Sequence, residues 1–209
     1  TLNGRKATGN EKLNTGDQIR LFLSDETFSK FSQQEQTARA VTDLDIIYED
    51  TDILLINKPA GMLSQPDDTK EPSMVEYLIG YLLQNGSLTE ENLRTFHPSV
   101  CNRLDKNTSG VIAAGKSLAG LQELSTLFHD RTVHKDYLCI VKGKLTRSRH
   151  IRGYLHKDAN LNKVSVSPTK EKDAQPIETQ YTPICNNEHA TLLKVRLITG
   201  RTHQIRAHL

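Results

Sequence analysis

The sequence predicts an α+β protein with a mixed, mainly antiparallel sheet, flanking helices and a small β-rich fragment at the N-terminus. Many short apolar runs separated by turn residues predict strands, and these runs dominate the second half of the chain. Runs of strands with few helices between them favour this class over an alternating βαβ nucleotide fold. A chain of 209 residues that is 36% hydrophobic can form one domain with a buried core and an appendage.

The N-terminal part of the chain differs from the rest in its residue composition and its predicted elements. Residues 1–23 contain short strand-like pieces beside the turn signals Asn3-Gly4 and Gly16-Asp17, which predict a small β unit. Residues 24–42 are polar and poor in aliphatic side chains, and we interpret them as a linker. The main domain is expected to cover 43–209.

Within this domain the apolar runs predict strands at 46–49, 53–57, 111–114, 133–141, 151–155, 163–166, 177–184 and 190–198. A helix is predicted at 73–84, with Ser73 as its N-cap. Ser117 is predicted to cap a second helix. The apolar face of that helix is expected to comprise Leu118, Leu121, Leu124, Thr126, Leu127 and Phe128. Residues 199–208, which follow the last of these strands, indicate a turn and a helix with Thr202 as N-cap.

The near-neutral net charge of +2 hides a segregation of charge along the chain. Residues 1–100 carry a net charge of −7, residues 101–157 carry +7, and residues 158–209 carry +2. A basic block of this kind is typical of a surface that binds a polyanion. It is equally typical of a solvated face that is balanced elsewhere in the molecule.

Composition also argues against several classes of protein. No run approaches the roughly 20 apolar residues of a membrane span, and the residues shown include no secretory leader. The three scattered cysteines, Cys101, Cys139 and Cys185, indicate reduced thiols and a cytoplasmic location, not a disulfide scaffold or a zinc ribbon. The eight histidines form no H-E-x-x-H or zinc-like spacing, so we expect no metal site.

One pattern suggests a nucleotide-binding alternative. Residues 110–117, G-V-I-A-A-G-K-S, match the phosphate-binding loop letter for letter. That loop must follow a hydrophobic strand, whereas the residues before Gly110 are polar and the residues between the two glycines are apolar. We therefore interpret the segment as a strand followed by a helix cap, and a nucleotide triphosphate enzyme remains the less favoured interpretation.

Two polar clusters are the strongest functional signals. The first, N-R-L-D-K-N-T-S-G at 102–110, is compatible with a simple polar turn. It would also hold the carboxylate of Asp105 at a sheet edge between basic residues, ionised and usable as a nucleophile or base. The second, T-G-R-T-H-Q-I-R-A-H at 199–208, follows an apolar strand. Its Arg206 would lie one turn inside a helix, within reach of a carboxylate on a neighbouring element.

Together these clusters resemble the two most distinctive motifs of the RluA-type pseudouridine synthases. Two weaker matches occur in the expected order: L-L-I-N-K-P-A-G at 54–61 is similar to the family's K-P-x-G loop, and H-K-D-Y-L-C-I-V-K-G at 134–143 to its K-x-Y strand. The resemblance covers roughly residues 45–209 and implies the pseudouridine synthase fold. Residues 1–23 resemble the second half of an S-four-type RNA-binding domain. Because the family's domain continues beyond the last motif, we expect the catalytic domain at 43–209 to be truncated at its C-terminus.

The resemblance also implies roles for individual residues. It assigns the catalytic aspartate to Asp105, the tyrosine that packs on the target base to Tyr137, and the basic partner of the aspartate to Arg206. Arg103 matches the arginine that fills the space left by the flipped nucleotide. The family usually has histidine before R-L-D, and Asn102 stands there in this chain, a departure that bears on RNA contacts more than on chemistry.

Further RNA contacts are expected from basic residues in the matching motifs and in the basic block. These residues are Lys58, Lys142, Lys144, Arg147, Arg149, Arg152, Arg201 and His203. Five cations of the block, from Lys142 to Arg152, are predicted to line one groove for RNA phosphates.

The resemblance therefore implies an isomerase that converts uridine to pseudouridine in RNA. Large-subunit ribosomal RNA is the first expectation for the substrate, and transfer RNA is the alternative. The reaction is redox-neutral and implies no cofactor and no metal. We expect a cytoplasmic monomer without a membrane partner. A non-catalytic RNA-binding or ribosome-assembly factor would share the basic surface but would tolerate the loss of Asp105.

Overall fold

The computed structural model describes residues 1–24, 43–69, 71–158 and 163–209. The chain divides into two compact units, Thr1–Arg39 and Ala40–Leu209. The linker predicted at 24–42 lies, apart from Ser24, outside the described residues.

The N-terminal unit is organised by hydrogen bonds around Asn3. This residue adopts a left-handed conformation with φ of 48°, which asparagine tolerates better than most residues. Its Nδ2 donates to Asp17 Oδ1 over 2.8 Å, and its Oδ1 accepts from the amide of Gln18 over 2.8 Å. Leu2 forms isolated bridges with Arg5 and Ile19. Within residues 1–24 these bridges stand where the sequence predicted short strands.

The larger unit begins with a four-stranded antiparallel sheet in the order β1-β2-β4-β3. Its strands are β1 (Ile46–Glu49), β2 (Ile53–Lys58), β3 (Ser99–Val100) and β4 (Gly110–Gly115). Helix α1 (Met74–Gln84) packs on this sheet through Met74, Leu78 and Leu82, which are fully buried with Leu54 and Ile56 of β2. At roughly 2 kcal/mol for each fully buried aliphatic side chain, this cluster is the main source of stability in the first half of the unit.

A second, five-stranded antiparallel sheet follows in the order β5-β9-β8-β6-β7. Its strands are β5 (Lys135–Lys142), β6 (Arg149–Asp158), β7 (Lys163–Ser167), β8 (Gln175–Asn186) and β9 (Ala190–Leu197). The sequence predicted a single mixed sheet. Every hydrogen-bonded strand pair within the two described sheets is antiparallel. Strands β2 and β3, which flank β4, are joined through helix α1.

Side chains alternate across the five-stranded sheet and define two faces. We call the face that carries Tyr137, Tyr181 and Val195 the inner face, because these residues are neighbours in register and belong to one apolar cluster. The outer face carries the alternate residues, including Leu138 and Arg152. Leu138 is 72% exposed, so the outer face is open to solvent in the larger unit.

Both predicted caps of the first two helices are confirmed. Ser73 and Glu76 form a capping box at the start of α1, with the Ser73 amide donating to Glu76 Oε2 over 2.6 Å. The Ser117 hydroxyl accepts from the amide of Gly120 over 3.0 Å at the start of α2 (Leu118–His129). A short 3₁₀ helix lies at Asn92–Arg94, and the last helix, α3, spans Gln204–His208.

The apolar face predicted for α2 is wrong in extent. Leu124 is buried, but Leu118 is 57% exposed and Leu127 is 36% exposed. The helix meets β4 through close backbone contact: a Cβ on Gly115 would lie 2.5 Å from the Cα of Leu121. Such an approach requires glycine and leaves the flanking leucines outside the contact.

The same contact explains the apparent phosphate-binding pattern. Gly110–Gly115 forms strand β4, and Ser117 caps α2, in agreement with the favoured interpretation of this segment. The second glycine of the pattern therefore serves helix–strand packing, and its amide lies within the sheet, where it cannot wrap around a phosphate.

Candidate active site

The loop that carries Asp105 lies between β3 and β4, and hydrogen bonds attach it to a second loop, which follows β2. The hydroxyl of Ser64 donates to the carbonyl of Leu104 over 2.7 Å and accepts from the amide of Leu104 over 3.0 Å. The amide of Gly61 donates to the carbonyl of Lys106 over 2.8 Å. The residues on both sides of Asp105 are thus fixed by backbone hydrogen bonds, which leaves the position of its carboxylate well defined.

Lys58 completes this support. Its side chain is fully buried, and its Nζ donates to the carbonyls of Pro59, Met62 and Lys106 at 2.9, 2.8 and 3.1 Å. Burial lowers the pKa of Lys58, and the negative charge of Asp105 opposes that shift. The expectation that Lys58 contacts RNA is corrected here, because its ammonium group faces buried carbonyls in the interior.

Asn102 also has a local structural partner. Its Nδ2 donates to the carbonyl of Val111 over 3.0 Å, and its Oδ1 accepts from the amide of Ala113 over 2.8 Å. The amide group of Asn102 therefore makes two hydrogen bonds to the backbone of β4. Arg103, next in the chain, is exposed.

The second polar cluster is anchored to the five-stranded sheet by Gln204, which is 2% exposed. Its Nε2 donates to the carbonyl of Glu178 over 3.1 Å and to the hydroxyl of Thr179 over 2.9 Å. Its Oε1 accepts from the hydroxyl of Thr199 over 2.9 Å and from the amide of Arg201 over 3.1 Å. The sequence prediction missed Gln204, although a glutamine flanked by apolar and basic residues at the start of a helix was a usable signal.

This anchor presents His203 and Arg206 to the loop of Asp105. His203 Nε2 lies 3.7 Å and Arg206 Nη1 lies 4.0 Å from Asp105 Oδ2. The Asp105 side chain is 31% exposed and that of Arg206 is 71% exposed, so solvent screens the attraction. The pair therefore orients a solvent-accessible carboxylate more than it stabilises the fold.

The predicted N-cap of α3 is wrong by one residue. His203, not Thr202, occupies the N-cap position, in a left-handed conformation with φ of 54° and without a side-chain cap hydrogen bond. In this conformation His203 Nε2 lies 3.7 Å from Asp105 Oδ2. The helix is entered through the Gln204 network instead of through a hydroxyl cap.

Tyr137 lies on the inner face of β5 and touches the apolar clusters of both sheets. Burial raises the pKa of its phenol, and the charge of Asp105 raises it further. The phenol therefore stays neutral near pH 7 and offers a flat aromatic surface beside a carboxylate. The structure thus brings Asp105, Tyr137 and Arg206 together, while the roles that the motifs assign to them stay predictions.

The five cations predicted to line one groove are divided between the two faces of the sheet. Arg149 pairs in register with Tyr181 and lies on the inner face. Arg152 pairs with Glu178 on the outer face and donates to it from Nε over 3.1 Å. Lys142 also has outer-face register. Lys144 and Arg147 lie in the connection between β5 and β6.

A family model described as RNA pseudouridylate synthase matches residues 52–209 of this chain. The chain belongs to the RNA pseudouridylate synthase family. The match spans all four motifs from the K-P-x-G loop to the last helix. It confirms the resemblance to RluA-type pseudouridine synthases, whereas the S-four-type interpretation of residues 1–23 stays a prediction, since the match begins at residue 52.

Curated members of the pseudouridine synthase family are similar over nearly the whole chain. A protein named ribosomal large subunit pseudouridine synthase D from Borreliella burgdorferi is 33% identical over 90% of this chain and 59% of its own length. An uncharacterized RNA pseudouridine synthase from Mycoplasma pneumoniae is 35% identical over 100% of this chain and 64% of its own length. This chain thus spans about three fifths of the length of these relatives.

Solved structures agree on the pseudouridine synthase fold. The human RNA pseudouridylate synthase domain containing 4 superposes with a TM-score of 0.59 at 22% identity, over 78% of this chain and 62% of that one. The human domain containing 1 gives a TM-score of 0.60 at 20% identity, over 79% and 64%. The α+β class predicted from the sequence is confirmed.

Among the described residues, no three His, Cys, Asp or Glu side chains are arranged to hold a metal ion. In the same part of the chain, no helix has the length and apolar character needed to cross a membrane. The exposed Arg201 stands at the entrance of α3, beside the site, with its amide bound to Gln204.

Proposed function

We propose that this protein is an RNA pseudouridine synthase that isomerises specific uridines, with large-subunit ribosomal RNA as its substrate. The observation that carries the proposal is the convergence of Asp105 with His203 and Arg206, which come from two motifs about 100 residues apart. The names of the Borreliella and other relatives support the choice of ribosomal RNA. We further propose that the protein acts as a monomer, in the cytoplasm where ribosomes assemble.

The chemistry requires a group that acts on the ribose. The bond from ribose to a uracil nitrogen breaks, the base turns, and a uracil carbon bonds to the ribose in its place. The nitrogen gains a proton and the carbon loses one, so the atoms balance without oxidant or nucleotide. Asp105 supplies the carboxylate that attacks or deprotonates the ribose, and Arg206 and His203 hold its Oδ2 in place.

The target uridine must leave its stack before it can reach this carboxylate, which costs a few kcal/mol. Tyr137 provides a neutral aromatic surface on which the uracil ring stacks. Arg103, exposed two residues before Asp105, fills the space that the base leaves in the RNA. These two side chains offset part of the cost of flipping.

Rigid support of the Asp105 loop is part of the same proposal. Lys58 and Ser64 bind the carbonyls that flank Asp105, so the carboxylate is positioned before the substrate arrives. Such pre-organisation lowers the entropic cost of the reaction, because the reactive group need not be ordered in the transition state.

The test replaces the carboxylate of Asp105 by an amide of the same size, which removes its charge while keeping the shape of the side chain. We expect Asp105→Asn to leave the protein folded and bound to RNA but to reduce pseudouridine formation by on the order of 10³-fold or more. The measurement is mapping of pseudouridines in ribosomal and transfer RNA from cells that lack the protein and receive either version. The position that disappears identifies the substrate RNA.

A matched control is Asp136→Asn. Asp136 lies on the outer face, where Arg196 Nε donates to its Oδ1 over 3.0 Å, so its loss should leave activity within about two-fold. Near-normal pseudouridine formation by the Asp105→Asn protein would sink the enzymatic assignment. If ribosome assembly then still depended on the protein, it would be a non-catalytic assembly factor. If only pseudouridines in transfer RNA were lost, transfer RNA and not ribosomal RNA would be the substrate.

A further inference from the structure

The connection from β5 to β6 crosses the inner face of the five-stranded sheet at Leu145. These strands are separated by β9 and β8, so residues 143–148 must traverse the sheet. The amide of Leu145 donates to the hydroxyl of Thr191 over 2.8 Å, and Thr191 is fully buried beside Val141. Leu145 also packs on the apolar cluster of the inner face. At Leu145 the segment therefore lies on the same face as Tyr137, and at Ser148, whose hydroxyl is 3.3 Å from that of Thr182, it reaches the edge of the sheet where β6 begins.

Arg149, which follows this segment, stands in one lateral row with Tyr137. Tyr137 pairs with Val195, Val195 with Tyr181, and Tyr181 with Arg149. Three strand spacings place Arg149 about 14 Å from Tyr137 across the inner face. An RNA strand whose uridine stacks on Tyr137 would extend over this distance within a few nucleotides.

Lys144, Arg147 and Arg149, which we call the crossing cations, are all exposed. Within the described residues, none of them has a carboxylate within 4.0 Å. Two outer-face cations differ: Arg152 Nη2 lies 3.0 Å from Glu178, and Lys194 Nζ lies 3.4 Å from Asp136. Lys142 is also exposed and has no carboxylate within 4.0 Å among the described residues, so its register alone assigns it to the outer face. Within the described residues the crossing cations thus have no carboxylate that competes with phosphate, whereas Arg152 and Lys194 on the outer face each have one.

We propose that the crossing cations bind the phosphates that flank the target uridine, and that Lys142 and Arg152 on the outer face do not. This inference rests on the proposed function, because it takes the Tyr137 face as the side from which RNA approaches. It narrows the predicted groove from five cations to three and assigns RNA to one face of the sheet. Phosphate contacts fix the register of the RNA without reading its sequence.

The test compares two variants with equal loss of charge. The first is Lys144→Gln/Arg147→Gln/Arg149→Gln, and the matched control is Lys142→Gln/Arg152→Gln/Lys194→Gln. Binding to an unmodified transcript of large-subunit ribosomal RNA is measured across a series of salt concentrations. We expect the first variant to bind at least 10-fold more weakly and to reduce the slope of log K against log salt by about 2, since each phosphate contact contributes about 0.7 to 0.9.

The control should bind within about three-fold of the wild type and keep its slope. An equal loss in the control, or an unchanged slope in the first variant, would overturn the inference. Far-ultraviolet circular dichroism and urea unfolding of both variants exclude loss of fold as the cause. Pseudouridine formation by the wild type is measured separately: if it is absent while the first variant still loses RNA, the RNA surface stands and the enzymatic proposal fails.

Discussion

The two faces of the five-stranded sheet are made by alternate residues of the same strands, yet their polar groups are satisfied in different ways. On the inner face, Gln204 is 2% exposed and its hydrogen bonds are all to neighbouring protein atoms. On the outer face, charged side chains meet in exposed pairs such as Asp136 with Arg196 and Glu178 with Arg152. The first arrangement fixes the geometry of a site, and the second mainly keeps a surface soluble.

This difference separates neighbours in the sequence that look alike. Asp136, Tyr137 and Leu138 are consecutive, but only Tyr137 reaches the inner face. Asp105 and Asp136 are both aspartates beside arginines, and only Asp105 faces the site. A residue's type and its motif are therefore less informative than the face to which the register of its strand assigns it.

The largest effect is expected from Tyr137→Ala. The ring packs against the apolar clusters of both sheets, so its removal should lower the free energy of unfolding by about 3 kcal/mol and abolish most of the activity. Urea unfolding and a pseudouridine assay check the two effects. Leu138→Ala, one residue away and 72% exposed, should change stability by less than about 0.5 kcal/mol. Similar losses in both variants would erase the distinction between the faces.

A smaller effect is expected from Gln204→Leu, with Gln180→Leu as its outer-face counterpart. The first change removes the hydrogen bonds of the buried Gln204 amide and leaves the amide of Arg201 without its acceptor, at a cost of about 2 kcal/mol. It should also lower kcat about 10-fold or more with little change in KM, because the basic residues at the start of α3 lose their position relative to Asp105. Urea unfolding and steady-state kinetics measure the two effects.

Gln180 is exposed and pairs in register with Arg196, so Gln180→Leu should leave both kcat and stability near the wild-type values. A parallel fall in kcat for the two variants would show that Gln204 acts through general stability and not through positioning. An increase in KM alone for Gln204→Leu would point instead to a role in binding RNA.

Much of the site could be predicted from the sequence because it follows from contiguous motifs. The motifs single out Asp105, Tyr137 and Arg206, and the structure brings these three residues together. The Ser73 and Ser117 caps were also predictable, since a cap depends on only three or four successive residues. Features of this kind depend on a few successive residues, so the sequence alone predicts them.

What could not be predicted depends on contacts between distant segments. The burial of Lys58 depends on the loop of Asp105, because its Nζ donates to the carbonyl of Lys106, which is 48 residues away in the sequence. Arg149 and Arg152 lie on opposite faces because β6 begins at Arg149, two residues before the strand predicted at 151–155, and side chains alternate along it. The left-handed cap at His203 replaced the expected Thr202 cap because the Gln204 network, and not a hydroxyl, determines how α3 begins.

The smallest effect we expect is a dependence of stability on pH that comes from His208, which contacts the inner face. His208 on α3 is within 3.0 Å of the Thr179 hydroxyl, and burial lowers the pKa of its imidazole. In the unfolded chain this imidazole takes up a proton below about pH 6.5, whereas in the folded protein it resists doing so. The unfolded state therefore binds more protons in that window, and the free energy of unfolding should fall as the pH drops below about 6.5.

His208→Asn keeps a polar group near Thr179 but cannot titrate, so the fall in stability between about pH 7.5 and about pH 5.5 should be smaller than in the wild type. Urea unfolding at the two pH values measures it, and His134→Asn, which removes an exposed imidazole, should retain the wild-type difference. Since His208 and Gln204 both hold α3 on Thr179, activity should decline reversibly over the same pH range. An identical pH response in the His208→Asn protein would mean that α3 stays docked regardless of this proton, and that Gln204 alone anchors it to the inner face.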